Sequence, residues 1–358
     1  MASHPIPAIE SAGEVDRGFV GKLADPARAI ASPRLDALLL WGVPALVLAF
    51  MLLVLGLAEK IAPGGGSDAS VGLFLLGVML TYGHLVAVVP RAYLNKDVFA
   101  ANRRRLTIVP VILVLALAIS PTIFVLAGVV AFFWDVHHSA MQTFGIGRIY
   151  EFKAGNGPHW IRKTDLYLNW LLYVGPIFVG ASFMVHAGER ENLAATPLTV
   201  LSTAPGLMEQ EQPLIRNLAL AAWAIGIVWA VMNYRRAMAQ GYRPPAHKLA
   251  LIGVTGVVTF LCWGYLPPLV AFISINIHHA LQYYLIVWVQ EGKRITAFSR
   301  MGAKGALMAY VAATMVVAIG YNLATQMDSR LLLVPFLACS LLHFWYDGFV
   351  WSVRKKSV

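Results

Sequence analysis

The sequence has little charge. Only 13% of its 358 residues are Asp, Glu, Lys or Arg, against about 25% in soluble domains, which argues against a water-soluble globular fold. Cysteine is nearly missing: Cys262 and Cys339 are the two in the chain, each inside an apolar run. They read as core residues, which excludes a disulfide framework and a thiolate metal site. A Walker loop, a Rossmann glycine fingerprint, a Gly-x-Ser-x-Gly elbow and a His-Glu-x-x-His pair are all absent, so nucleotide, phosphate and zinc-protease chemistry have no support. So are the His-x-x-x-His and His-x-x-His-His boxes of membrane di-iron desaturases. The N-terminus lacks a short apolar core with a cleavage site. Residues 1–34 are polar, contain Pro5, Pro7, Pro26 and Pro33, and read as a cytosolic tail.

What is present is apolar: 58% of the residues are hydrophobic, in blocks close to the roughly 20 residues that cross a bilayer as a helix. The fold expected is all-α, a polytopic transmembrane helical bundle forming one domain over 35–358. Its ten or so spans lie near 36–58, 70–90, 106–119, 121–147, 166–186, 215–234, 248–266, 268–290, 304–323 and 331–352. Pro121, Pro267 and Pro268 mark tight turns between closely spaced spans. The net charge of +10 would suggest nucleic acid in a soluble protein. Here Arg91, Lys96 and Arg103–Arg105, then Arg148, Lys153, Arg162 and Lys163, follow even-numbered spans, as do Arg235, Arg236, Arg243 and Lys248, then Lys293, Arg294, Arg300 and Lys304. That alternation puts both termini in the cytoplasm, fits an integral protein of a bacterial inner membrane, and gives no role to nucleic acid. The loop at 187–213 is the longest external one.

Six of the ten histidines lie inside apolar runs: His84, His137, His138, His278, His279 and His343. His4, His159, His186 and His247 fall at segment ends or in cytosolic segments. All six intramembrane histidines are on even-numbered spans, which run in one direction. His84 is seven residues before Arg91, His138 ten before Arg148, His343 eleven before Arg354 and His279 fourteen before Lys293. At about 1.5 Å per residue their depths fall within roughly 10 Å, in the inner half of the membrane. An imidazole in hydrocarbon is costly without a partner, and imidazole is a favoured ligand for iron, copper and zinc. The set therefore reads as metal or haem ligation.

Asp135 is at i−3 from His138, and Asp347 at i+4 from His343, each pair on one helix face. Either carboxylate can hold the second ring N–H of a ligating histidine or bind the metal itself. Gln142 is at i+4 from His138 and Gln282 at i+4 from His278. Each can bind a ligand, a water or substrate, or hydrogen-bond between helices. Aromatics crowd the same layer, among them Trp134, Phe144, Tyr283, Trp288 and Phe344, and suit an apolar substrate.

The segments Gly83–His84, Val136–His137–His138–Ser139–Ala140–Met141–Gln142, Ile277–His278–His279 with its aromatic run to Trp288, and Leu342–His343 with Asp347 four residues on resemble, distantly, the Brp/Blh-like family of membrane β-carotene dioxygenases. The resemblance implies a multi-span enzyme with a histidine-bound non-haem iron. By it, His84, His138 and one or both of His278 and His279 would ligate the iron, with His343 and Asp347 in support. This chain departs from the family in having adjacent histidines and Gln282 in the third segment, where the family has a second His four residues on. It has Gln142 where the family has an acid.

The function expected is an oxygen-using non-haem iron oxidoreductase, an oxygenase acting on a lipophilic small molecule within membrane lipid, its electron donor left open. Two alternatives stand beside it: a b-type haem protein for electron transfer or gas chemistry, and a metal or proton transporter. Copper is a further candidate metal.

Overall fold

Without water to satisfy peptide groups, an apolar run resolves its backbone hydrogen bonds internally, as helix. The computed structural model describes residues 18–42, 45, 68–157, 159–180, 212–266, 268–327 and 329–351, and the regular structure among them is helical. Most of the first expected span, the end of the fifth, the loop at 187–211, the first seventeen residues, His4, His186 and Arg354–Lys356 lie outside the described residues.

A short helix α1 (Gly18–Leu23) and a π-helical segment, Asp36–Gly42, precede the long helices. These are α2 (Asp68–Leu85), α3 (Lys96–Ile119), α4 (Pro121–Lys153), α5 (Arg162–Val179) and α6 (Gln212–Ala239), then α7 (Ala246–Tyr265), α8 (Pro268–Ser299), α9 (Ala303–Gln326) and α10 (Arg330–Val350). Five of them, α4, α6, α7, α9 and α10, are long and apolar enough to cross a membrane. Only 6% of the most apolar window of α6 is buried. Leu218, Ile225, Val228 and Met232 on that helix face outward, as do Ile108, Val111, Ile112 and Leu115 on α3. Apolar faces of this extent are not stable in water and match lipid.

Local chemistry sets the boundaries. Ser120 ends α3 and starts α4. Its backbone N–H donates to Ala116, its Oγ accepts from Ile123 N at 3.2 Å, and Pro121 holds the first helical position, where no donor is needed. α3 begins ten residues earlier than the expected span at 106–119. The Asn95 side chain caps it by accepting from Val98 N at 3.3 Å, so Arg103–Arg105 lie on a helix and not in a loop, with one irregular residue at Asn102 (φ −127°, ψ 17°).

α8 is the axis of the site. It packs against α2, α7, α9 and the π-helical segment. Its Ser274, Asn276, His278, His279 and Gln282 lower its hydropathy, and all five are buried. Glycine lets α2 come close. A Cβ on Gly77 would meet Ile273 Cγ2 at 2.5 Å, and one on Gly83 would meet Met315 Cε at 2.6 Å, Tyr284 Oη at 2.9 Å and Thr314 O at 3.2 Å. Small residues at such crossings set helix spacing in lipid. Gly83→Val is expected to push α2 off its neighbours at a cost of about 1–3 kcal/mol and to shift the adjacent His84. A thermal unfolding midpoint in detergent, unchanged from the parent, would contradict this.

Several basic residues expected to act as loop charges are instead buried. Arg91 Nη1 pairs with Glu291 Oε1 at 2.6 Å and the same arginine donates to Val350 O at 3.1 Å. Lys248 Nζ reaches both Glu151 and Asp165 at 2.6 Å, and Arg148 pairs with Asp165 at 3.2 Å. Tyr234 donates to Asp165 at 2.7 Å and Tyr242 to Glu151. Burial, reinforced by the Glu151 carboxylate, raises the Tyr242 phenol above its ordinary range, so it remains a donor. These pairs tie α4, α5, α6, α7 and the chain before it into one end of the bundle. His247, expected in a cytosolic segment, is buried at the foot of α7, stacked on Tyr150 at 5.1 Å.

Candidate metal centre

Four helices each deliver one imidazole to a common point: His84 from the last turn of α2, His138 from α4, His279 from α8 and His343 from α10. None is more than 4% exposed. Successive ring centroids are 4.8 Å apart for His84–His279, 4.7 Å for His279–His138, 4.8 Å for His138–His343 and 5.0 Å for His343–His84. The rings thus close on themselves, with neighbouring planes at 70–90°.

Both ring nitrogens of His84, both of His279 and Nδ1 of His343 are buried without a hydrogen-bond partner among the described residues. The carbonyls of Leu80 and Thr81 lie beside the His84 ring, and that of Leu85 beside the His343 ring, but none meets hydrogen-bond geometry. An unsatisfied buried donor or acceptor costs about 1–3 kcal/mol, a cost that a bound ligand would remove. His138 Nε2 and His343 Nε2 are 3.1 Å apart. One N–H···N bond accounts for that pair alone. The spacing is equally that of two nitrogens sharing a metal with bonds of about 2.0–2.1 Å. Ligand nitrogens of His84, His279 and His343 lie within 4.8 Å of one another, and so do donor atoms of His138, His343 and Asp347. A cluster of imidazoles with one carboxylate at its edge suits iron, copper or zinc.

His137 and His278 are not in this ring. Adjacent helical residues point about 100° apart, so where His138 and His279 face the ring, their neighbours face elsewhere. His137 packs on Trp170 of α5 at 5.0 Å. His278 Nε2 lies 3.0 Å from Gln282 Nε2 and 3.4 Å from Thr255 Oγ1 of α7.

The carboxylates differ from the expected pairing. Asp135 accepts from Asn276 Nδ2 at 3.1 Å. It sits one turn before His138 and binds across to α8, so it does not hold the His138 ring. Asp347 does not bind His343, its neighbour at i+4, whose Nδ1 has no partner among the described residues. It turns toward α4, with Oδ2 3.7 Å from His138 Nε2. Its other oxygen accepts from Tyr283 Oη at 2.8 Å and from Trp351 Nε1 at 3.0 Å. The two glutamines bond between helices. Gln142 Nε2 donates to His279 O at 3.0 Å and Gln282 Oε1 at 3.2 Å, and Gln282 Nε2 donates to Leu40 O at 3.1 Å. The last bond ties the π-helical segment to α8.

Tyr283 and Trp351 were not expected in these roles. The Tyr283 ring is 4.7 Å from His343. The i+4 rule that singled out Asp347 reaches both, since Tyr283 is four residues after His279 and Trp351 four after Asp347. Beside His138 a cavity of ≈ 310 Å³ opens between α4, α8 and α10. Trp134, Met141, Phe344 and Trp345 line its apolar walls, and His138, Gln142 and Asp347 supply its polar edge.

Searches of protein-family models, curated proteins and solved structures find no match to this chain.

Proposed function

We propose that this chain is an integral membrane oxygenase of about ten spans, both termini cytoplasmic, in a bacterial inner membrane. His84, His138, His279 and His343 hold a non-haem iron, and a lipophilic substrate occupies the adjoining cleft. The observation that carries this reading is the closed ring of four buried imidazoles with orphaned nitrogens. The resemblance of the histidine segments to membrane β-carotene dioxygenases favours iron over copper.

Bound there, iron would supply dioxygen binding and one-electron chemistry. The chain supplies the rest. Four helices fix the imidazoles before any metal arrives, which lowers the reorganisation cost of binding. Tyr283 and Trp351 hold one oxygen of Asp347, leaving the other at the boundary between ring and cleft, where it can accept a proton or a polar group from substrate. The haem alternative fits less well. Centroids 4.7–5.0 Å apart on all four sides leave no slot for a macrocycle between facing histidines.

Elemental analysis with an absorption spectrum tests the reading. About one iron per chain, retained through purification, with no intense Soret band is expected. A Soret band would install the haem reading, copper or zinc alone would overturn iron, and a metal lost on washing would favour transport.

A further inference from the structure

The cleft beside the histidine ring has an uneven set of hydrogen-bonding groups. The donors of Tyr283, Trp351 and Gln142 are committed within the protein: Tyr283 Oη and Trp351 Nε1 both give to Asp347 Oδ1, and Gln142 Nε2 gives to His279 O and Gln282 Oε1. The cleft's acceptors are not. Gln142 Oε1 is buried without a partner among the described residues. Asp347 Oδ2 has His138 Nε2 at 3.7 Å, beyond a good hydrogen bond, and accepts when the carboxyl is ionised. His137, also on the cleft wall, has a buried Nδ1 without a partner among the described residues; a neutral imidazole nitrogen takes either role. A buried acceptor left open is costly, so the occupant should bring donors. The remaining walls are aromatic and aliphatic. At ≈ 310 Å³ the cleft is at the small end of ligand pockets and admits one end of a longer molecule.

We propose that the cleft receives the hydroxyl-bearing end of a lipophilic alcohol, its O–H donated to Asp347 Oδ2 or Gln142 Oε1 and its hydrocarbon chain lying along Trp134, Phe344 and Trp345. This rests on the proposed metal site only in sharing its edge. A pure hydrocarbon leaves both acceptors unsatisfied, and an ether brings no donor.

Three of the cleft's walls are tryptophans, Trp134, Trp345 and Trp351, so quenching by a brominated ligand reads occupancy. The purified protein in lipid nanodiscs is titrated with 12-bromododecan-1-ol, its methyl ether and the corresponding alkyl amine, and the metal content of the same sample is measured. Saturable quenching by the alcohol, at least about tenfold tighter than by the ether, is expected, and Gln142→Leu should narrow that gap. Equal binding of alcohol and ether, tighter binding of the amine, or no saturable quenching by any of the three overturns the proposal. The ligand comparison on the parent protein keeps the test valid if the variant does not fold. Alcohol selectivity in a sample without metal would retain the cleft assignment and remove the iron reading. Metal without alcohol selectivity would do the reverse.

Discussion

Replacing His279 by alanine is expected to lower metal content from about one per chain to below roughly 0.1, while replacing its immediate neighbour His278 leaves it near the parent value. The contrast follows from helix geometry. The two side chains diverge by about 100°. His279 lies 4.8 Å from His84 and 4.7 Å from His138, centroid to centroid, whereas His278 faces Thr255 and Gln282. Losing even a group that only orients a ligand costs about 10- to 100-fold in metal affinity; losing a ligand from a buried site should cost more. The same division holds on α4, where His138→Ala is expected to empty the site and His137→Ala is not. Both pairs compare neighbouring residues on one helix, so a general loss of folding cannot imitate the result. Metal retained in His279→Ala, or lost equally in His278→Ala, would mean that the ring is a packing arrangement with no ligand at its centre.

The sequence carried the four helices that meet at this site, because packing alone does not account for six histidines in apolar runs, all on even-numbered spans and within a narrow depth range. It did not separate His138 from His137 or His279 from His278. Adjacent residues differ by rotation about the helix axis, and rotation is set by tertiary packing. The i+4 spacing found Asp347; in the structure its oxygens turn to Tyr283, Trp351 and the edge of the His138 ring. Helical spacing identifies a shared face and says nothing of what the next helix puts against it. The glutamine pair was open to ligand binding or interhelical bonding from sequence, and in the structure Gln142 and Gln282 bond to each other and to backbone carbonyls. The pairing of the charged residues was the least legible. Arg91, Arg148 and Lys248 have the positions of topology signals, and nothing local marks which of them will meet a carboxylate from a segment some 17 to 200 residues away.

Lys248→Met is expected to be the most destabilising change outside the histidine ring, at about 3–5 kcal/mol, the range for removing one partner of a buried ion pair. Lys248 is 1% exposed, and its ammonium lies 2.6 Å from Glu151 Oε1 and 2.6 Å from Asp165 Oδ2. Tyr234 and Tyr242 stand around it, with ring centroids 5.1 and 5.7 Å from Nζ. Without the lysine, Asp165 keeps Arg148 and Tyr234. Among the described residues Glu151 keeps only neutral donors, Tyr242 and Asn156, and carries an uncompensated buried charge. Because the penalty comes mainly from that stranded carboxylate, the double variant Lys248→Met with Glu151→Gln should recover a substantial part of the loss, and Glu151→Gln alone should cost less than the lysine change. Unfolding midpoints in one detergent, combined as a double-mutant cycle, give the coupling. The cluster shares no residue with the histidine ring, so metal per folded chain is expected to stay constant across the series. A single-variant loss under about 1 kcal/mol, the usual worth of an exposed pair, would show that water reaches these charges and that they do not clamp α4, α5 and α7.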